Sequence, residues 1–474
     1  MPCQRPGKKD PRVEARAGFP RRGAGVVSPT ASIWPDVVRD INGKGWLAMT
    51  ILVFIASLLA AMAIGMPIAY ALLICGVALM VQLSMFDPQI LAQNLVSGTD
   101  SFTLLAVPFF MLAGEVMNTG GLSKRIVALA LTLVGHVRGG LGYVAIIAAC
   151  VLSALSGSAV ADAAALGALL VPMMVKAGHD KARSAGLVAS ASVIGPIIPP
   201  SIAFILFGVT ANLSISKLFM AGIVPGLMIG LGLAIAWWIM VRKEAIELRP
   251  RASAAERLTA LRESLWALGL PFIIIFGLKF GLFTPTEAAV VAAVYSLFVA
   301  TCIYRELSLG QLYGVFVSSA KVTSVVIFLV AAALVSAWLI TIADLPGQVV
   351  ELLSPFMDSP KLLMLMIMIL VVIVGTAMDM APTILILAPV LVPVVQAAGI
   401  DPIYFGVLFI INNSIGLITP PVGTVLNVVA GVSRINMETV IRGVTPFMVA
   451  QLVVLGLMIA FPELVTVPAA WLGR

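Results

Sequence analysis

Two short stretches place aspartates and hydroxyls inside otherwise apolar runs. The first, LSGSAVADAAALGALLVP (155–172), carries Ser156, Gly157, Ser158 and Asp162. The second, GTAMDMAPTILILAPVLVP (375–393), carries Thr376, Asp379 and Thr383. An ionisable residue inside a membrane-length apolar run is expensive, so it points to function. Each stretch is followed by a proline pair. IGPIIPPS (194–201) contains Gly195, Ile198, Pro199, Pro200 and Ser201, with Ser190 and Ser192 before it. IGLITPPV (415–422) contains Gly416, Thr419, Pro420 and Pro421, with Asn412, Asn413 and Ser414 before it. Proline lacks the N–H and clashes with the preceding turn, so each pair breaks a helix and frees backbone carbonyls. Carbonyl and hydroxyl oxygens are hard ligands that suit a hard cation, and the N-termini of half-helices suit an anion. The residues named here therefore form two candidate cation sites with an anion pocket between them. The competing reading is that the Ser and Asp residues cap helices; one residue can do both.

The elements that hold these residues must cross a bilayer. The chain has 474 residues, 61% hydrophobic and 11% charged, against roughly half and a quarter for a soluble domain. Apolar runs recur from Trp46 onward, each long enough to span a hydrocarbon core of about 30 Å. The net charge of +7 is no nucleic-acid signal, because nine of the 29 basic residues lie in 1–48 and six more in 242–262. The four cysteines have no metal-ligand spacing and read as small core residues after position 48. His136 and His179 lie near basic residues and read as solvated loop positions.

At an offset of 221, residues 172–225 align without gaps to 393–446. Eight Gly, Pro and Asp positions coincide: Pro172/Pro393, Gly178/Gly399, Asp180/Asp401, Gly195/Gly416, Pro199/Pro420, Pro200/Pro421, Gly222/Gly443 and Pro225/Pro446. This predicts an internal repeat. Each polar stretch sits within about 35 apolar residues uninterrupted by a charged loop, which suits a re-entrant helical hairpin.

The expected organisation is a basic, disordered tail over 1–48, a first repeat over 49–241, a basic cytoplasmic linker over 242–262 and a second repeat over 263–474. The first repeat holds a hairpin at 140–175 and a broken helix at 184–212; the second holds a hairpin at 362–396 and a broken helix at 402–432. Met49 opens the membrane region and is a candidate start. With the linker inside, 16 of the 20 basic residues after Met49 fall on the cytoplasmic side; Lys217, Lys279, Lys361 and Arg474 are the exceptions. One hairpin then opens to each face. Inverted repeats with discontinuous helices mark a secondary transporter. The basic tail falls outside in this scheme, against its charge.

LSGSAVADAAALGALLVPMMVKAG, IGPIIPPS, SFTLLAVPFFMLAGEVM and GLITPPVGTVLNV together resemble the large, DctM-type membrane subunit of tripartite ATP-independent periplasmic (TRAP) transporters. The likeness covers roughly 47–472. It implies an all-α ion-transporter-superfamily fold of elevator type in the bacterial inner membrane, with a fixed scaffold and a moving domain. It implies sodium-coupled uptake of a carboxylate-containing organic acid, a C4-dicarboxylate or similar, with Na+ held by the hairpin tips and broken-helix carbonyls. It also implies two partners, a small four-helix DctQ-type membrane subunit and a periplasmic DctP-type solute-binding protein. Residues 1–45 contain no span, so the small subunit is expected as a separate chain; the basic tail departs from the family pattern.

Other classes fit less well. An intramembrane aspartyl protease needs Gly-x-Gly-Asp and Tyr-Asp contexts, whereas Asp162 and Asp379 sit in AVADAAA and AMDMAPT. A pump needs a phosphate-cradling loop, and the chain has no G-x-x-x-x-G-K-[ST]. A channel does not need two inverted hairpins. The expectation is a transporter, neither an enzyme nor a nucleic-acid binder, with no cofactor beyond the coupling ion.

Overall fold

The computed structural model describes residues 43–242, 244 and 250–473. The tail expected over 1–48 therefore lies outside the described residues as far as residue 42, as does most of 243–249 within the expected linker. The chain divides into two compact units, 1–49 and 50–474, and both polar stretches and both proline pairs belong to the second. The elements of this second unit are helical. Among the described residues, nine helices are long and apolar enough to cross a membrane.

The helices fall into two groups by packing. One group contains α2 (Ile68–Gln82), α3 (Pro88–Thr99), α4 (Ala106–Thr119), α5 (Leu122–Val134), α11 (Ala254–Lys279), α12 (Pro285–Phe298) and the 34-residue α13 (Leu309–Ile342), with α1 (Gly43–Ala63) opening the described chain. Here α13 packs on α2, α3 and α4, while α12 covers α4 and α11 covers α5. This group forms a frame. Arg125 ties α5 to the segment that follows α12, bonding Glu306 at 2.6 Å and lying 3.7 Å over the Tyr304 ring.

The other group holds the polar stretches. Helices α6 (Gly140–Ser156) and α7 (Ala159–Lys176) form a helix–turn–helix, and α8 (Lys181–Ser192) and α9 (Ile202–Thr210) are one helix interrupted around the first proline pair. The long α10 (Ile215–Val241) follows. After α14 (Leu345–Leu353), the same arrangement returns. Helices α15 (Pro360–Ala377) and α16 (Met380–Ala397) pair, α17 (Pro402–Gly416) and α18 (Thr424–Ser433) flank the second proline pair, and α19 (Met437–Ala460) and α20 (Glu463–Leu472) close the chain. Both Pro199–Pro200 and Pro420–Pro421 are cis.

Local chemistry explains the starts. Asp180 caps α8 by accepting from the Arg183 N–H at 2.9 Å, and Asp401 caps α17 by accepting from Ile403 and Tyr404 at 2.7 and 3.0 Å. These are the coincident aspartates of the 221-residue offset, each opening the helix that runs to a proline pair. Within this group α8 packs on α7 and α19, α16 on α9, and α15 on α17.

Two sequence expectations need correction. His179 is buried: its Nδ1 lies 2.9 Å from Glu244 Oε2, and its ring lies 5.2 Å from that of Trp237. Arg183 also bonds Glu244, at 2.7 Å, and Arg138 donates to the Glu244 carbonyl at 2.8 Å. A carboxylate 65 residues away in sequence, not solvent, satisfies this histidine. Of the cysteines, Cys75 is buried but Cys302 is exposed, at the end of the π-helical turn Val299–Ile303.

Candidate functional site

At the first hairpin tip, only two residues join α6 to α7. Gly157 takes φ 59°, a left-handed conformation that L side chains resist. It also has no room for one, since a Cβ there would lie 2.7 Å from the Pro200 carbonyl oxygen. The tip therefore seats directly on the first break. Ser158 caps α7, its Oγ accepting from the Ala161 N–H at 3.4 Å. One turn on, Asp162 is 2% exposed. Its Oδ1 accepts a 2.6 Å hydrogen bond from Ser156, whose Oγ also accepts from the Ser158 N–H at 3.2 Å. Its Oδ2 has no protein partner and lies 2.8 Å from where a Gly195 Cβ would stand. Glycine at 195 is what lets the carboxylate reach the break.

The first break is held by Ser201, which caps α9 by accepting from Phe204 N–H at 3.2 Å and donates to the Pro196 carbonyl. Ile198 turns its side chain into the core against Gly226. It therefore has only backbone to offer a ligand.

The second tip and break differ in detail. Asp379 is exposed and caps α16, accepting from the Met380 N–H at 2.9 Å. Thr383, one turn on, donates to the Asp379 carbonyl at 2.9 Å, and Thr376 donates to Ile373 O at 2.7 Å. Asn413 donates to Met380 O at 3.2 Å, and Asn412 donates to Met368 O. Both asparagines therefore pin the second hairpin to its break. Gly416 lies against Gly375, so a Cβ at 416 would be 2.9 Å from the Gly375 carbonyl carbon. Thr419 is turned back onto Ile415 O at 2.7 Å.

The tips and breaks meet at one cavity of about 180 Å³. Gly157, Ser158 and Asp379 line it, with Pro196 from the first break and Leu417 from the second. Three helix N-termini open onto it: α7 through Ala159 and Val160, α9 through Ile202 and Ala203, and α16 through Met380 and Ala381. The frame contributes Met111, Val322 and Val326, which the sequence did not single out. Asp162, Gly195, Thr383, Asn412, Asn413 and Gly416 do not line the cavity; they sit in the structure behind it. No Lys or Arg is among the lining residues. A bound anion would therefore rely on helix termini, backbone N–H groups or a co-bound cation.

Near the two breaks, six buried side-chain atoms have no protein partner, and all six are oxygens: Asp162 Oδ2, Ser190 Oγ, Asn412 Oδ1, Asn413 Oδ1, Thr424 Oγ1 and Gln451 Oε1. Among the described residues no cluster of three His, Cys, Asp or Glu side chains could hold a metal ion. Oxygen donors of this kind suit a hard cation better than zinc or copper.

This arrangement is that of a polytopic helical transporter. The comparisons agree: residues 55–464 match the model of the DctM component of the tripartite ATP-independent periplasmic transporter, so the chain belongs to that family. It is 57% identical over 425 residues to the 2,3-diketo-L-gulonate TRAP transporter large permease protein of Escherichia coli, covering 90% of this chain and all of that relative. It is 38% identical to the sialic acid TRAP transporter large permease of Vibrio cholerae, over 86% of this chain and 96% of the relative. It is 39% identical to the C4-dicarboxylate TRAP transporter large permease of Pseudomonas aeruginosa, over 81% and 90%. The YdaH transporter of Alcanivorax borkumensis shares the fold at a TM-score of 0.58 and 14% identity, covering 81% of this chain and 87% of that one. The chain is a TRAP large permease of the bacterial inner membrane. Its family implies a tripartite system with a small membrane component and a periplasmic binding component.

Proposed function

We propose that this permease takes up a carboxylate-bearing sugar acid or keto acid, driven by sodium and delivered by a periplasmic solute-binding protein. The observation that carries the reading is the cavity where three helix N-termini converge without a lysine or arginine. Helix N-termini favour a negative group, and the unpartnered oxygens at the two breaks favour cations on either side of it. A sodium ion at each tip–break pair would then supply the positive charge that the lining side chains lack. This couples anion binding to sodium through direct electrostatics.

The site-one ligands in this reading are drawn from Ser156, Gly157, Ser158 and Asp162 with the backbone of 195–201. The site-two ligands are drawn from Thr376, Asp379 and Thr383 with Asn412, Asn413 and the backbone of 416–421. The hairpins, breaks, α10 and α19 form the moving body, and the frame is the scaffold of an elevator built on an inverted repeat. The likeness to the diketo-gulonate permease favours a sugar-derived keto acid over a C4-dicarboxylate.

The test is uptake of labelled 2,3-diketo-L-gulonate into proteoliposomes holding this chain, its small subunit and the binding protein. A sodium gradient should drive uptake without ATP, and leaving out the binding protein should abolish it. Equal uptake in sodium-free buffer at fixed membrane potential and pH would overturn the coupling. Sodium-driven uptake of a C4-dicarboxylate but not of the keto acid would overturn the substrate class.

A further inference from the structure

Helix α19 packs along α8, and the two backbones cross at glycines: a Cβ on Gly186 would lie 2.2 Å from the carbonyl carbon of Gly443. Eight residues further along α19, about two turns, stands Gln451, only 1% exposed. Its Nε2 donates to the Ser190 carbonyl at 2.8 Å. That carbonyl is one the break has released. A continuing helix would close the Ile194 N–H on it, but Ile194 bonds Ala191 O at 3.1 Å instead. With Nε2 so committed, Gln451 Oε1 has no protein partner, and neither has Ser190 Oγ beside the same carbonyl. A buried amide with one arm unused is costly unless something else takes it up.

The second break has no such arrangement. Helix α17 runs on to Gly416, three residues past position 413, which matches the end of α8 (192 + 221 = 413). The carbonyl matching Ser190 belongs to Ile411 (190 + 221 = 411) and stays inside α17. At the same offset Gln451 corresponds to Gly230, where the atoms nearest to an added Cβ are Cys150 Sγ at 3.0 Å and carbons of Ile146 and Ile194.

We infer that Gln451 is a positioning residue for the first cation site. It holds the Ser190 carbonyl, and with it the course of the chain through the first break. It therefore sets sodium affinity at that site and not at the second. The inference rests on the sodium-coupled reading above.

The test uses the complete three-component system in proteoliposomes, titrated with sodium, comparing wild type with Gln451→Met, which keeps the volume and removes the donor. Half-saturating sodium should rise about five- to tenfold, the worth of one hydrogen bond. The Hill coefficient should fall toward one, because only one of two sites weakens. The substrate KM at saturating sodium should stay within about twofold. Gln451→Asn, with its amide one methylene short, should fall between the two, and is read by the same criteria if Gln451→Met fails to assemble. Unchanged half-saturation and Hill coefficient would overturn the inference. So would a loss of maximal rate, or a rise in substrate KM, as large as the sodium effect, since either marks general packing damage. Wild-type uptake indifferent to sodium would bring down the sodium-coupled reading and this inference with it; sodium-dependent wild type with an unaltered variant would sink only the inference.

Discussion

The two hairpin tips solve the same steric problem with different chemistry. In the first, the cap is a hydroxyl, Ser158, and the carboxylate is Asp162, buried one turn inside and bonded to Ser156. In the second, the cap is the carboxylate, Asp379, exposed at the cavity, and the residue one turn inside is the hydroxyl of Thr383, turned back on the backbone. The breaks differ too. The second hairpin is pinned by two asparagine amides, while the first hairpin's carboxylate reaches the break at Gly195 and the break's freed Ser190 carbonyl is met by an amide on α19. A carboxylate buried beside freed carbonyls is available to a cation from the side of the break. One at the cavity mouth is available to whatever enters. The first tip therefore keeps its carboxylate in the protein interior, and the second presents its own at the cavity.

Steric damage at the seats should be largest. Gly416→Val forces a branched side chain into the Gly375 backbone, and should cost about 3 kcal/mol and abolish uptake. Gly157→Ala adds left-handed strain to its 2.7 Å clash, and should cost about 2–3 kcal/mol. Thermal unfolding of the purified complex checks both; if either melts with wild type, the close seating is wrong for that tip.

The carboxylates come next, and they should separate the two tips. Asp162→Ala leaves Ser156 without its acceptor and removes the buried carboxyl group beside the break, so half-saturating sodium should rise about tenfold or more. Asp379→Asn keeps a good N-cap and should shift it only about two- to threefold. Equal shifts in a sodium titration of uptake would erase the distinction. A smaller effect is expected from rewriting the first tip in the order of the second, Ser158→Asp with Asp162→Ser. Asp caps α7 as well as Ser does, and a serine at 162 still offers Ser156 a partner, so uptake should exceed that of Asp162→Ala. An exchange as inactive as Asp162→Ala would mean that the buried position of the carboxyl group is what matters. At the bottom of the scale, Gly431→Ala in α18 meets nothing within 4 Å and should stabilise by at most about 1 kcal/mol without altering sodium dependence. A loss of uptake there would place α18 in contact with something that this chain alone does not show.

Much of this was legible in the sequence for a simple reason. Proline pairs and intramembrane aspartates are rare enough in apolar runs that each one carries information, so the family, the membrane class and the polar stretches could be read directly. Pairings across the fold were not legible. Asp162 stands one helical turn from Ser158, but Ser158 is used up as a cap, and the tight turn through Gly157 brings Ser156 over instead. His179 reads as a loop residue because Glu244, which satisfies it, is 65 positions away. Gln451 left one visible trace, an amide alone in the apolar run of α19. Its acceptor is 261 residues distant, and no periodicity connects the two.

Gly157 seats on Pro200 and Gly416 on Gly375 with backbone directly against backbone at each point. Close-packed interiors leave little slack, so a shift of the tip along the break at these points meets backbone atoms at once. Each hairpin therefore meets its break backbone to backbone at that seat. A gate that worked by peeling a tip away would have to uncover Asp162, Asn412 and Asn413 at every cycle. Displacing hairpin and break together would keep those groups covered, with the frame's Val322 and Val326 facing them across the cavity.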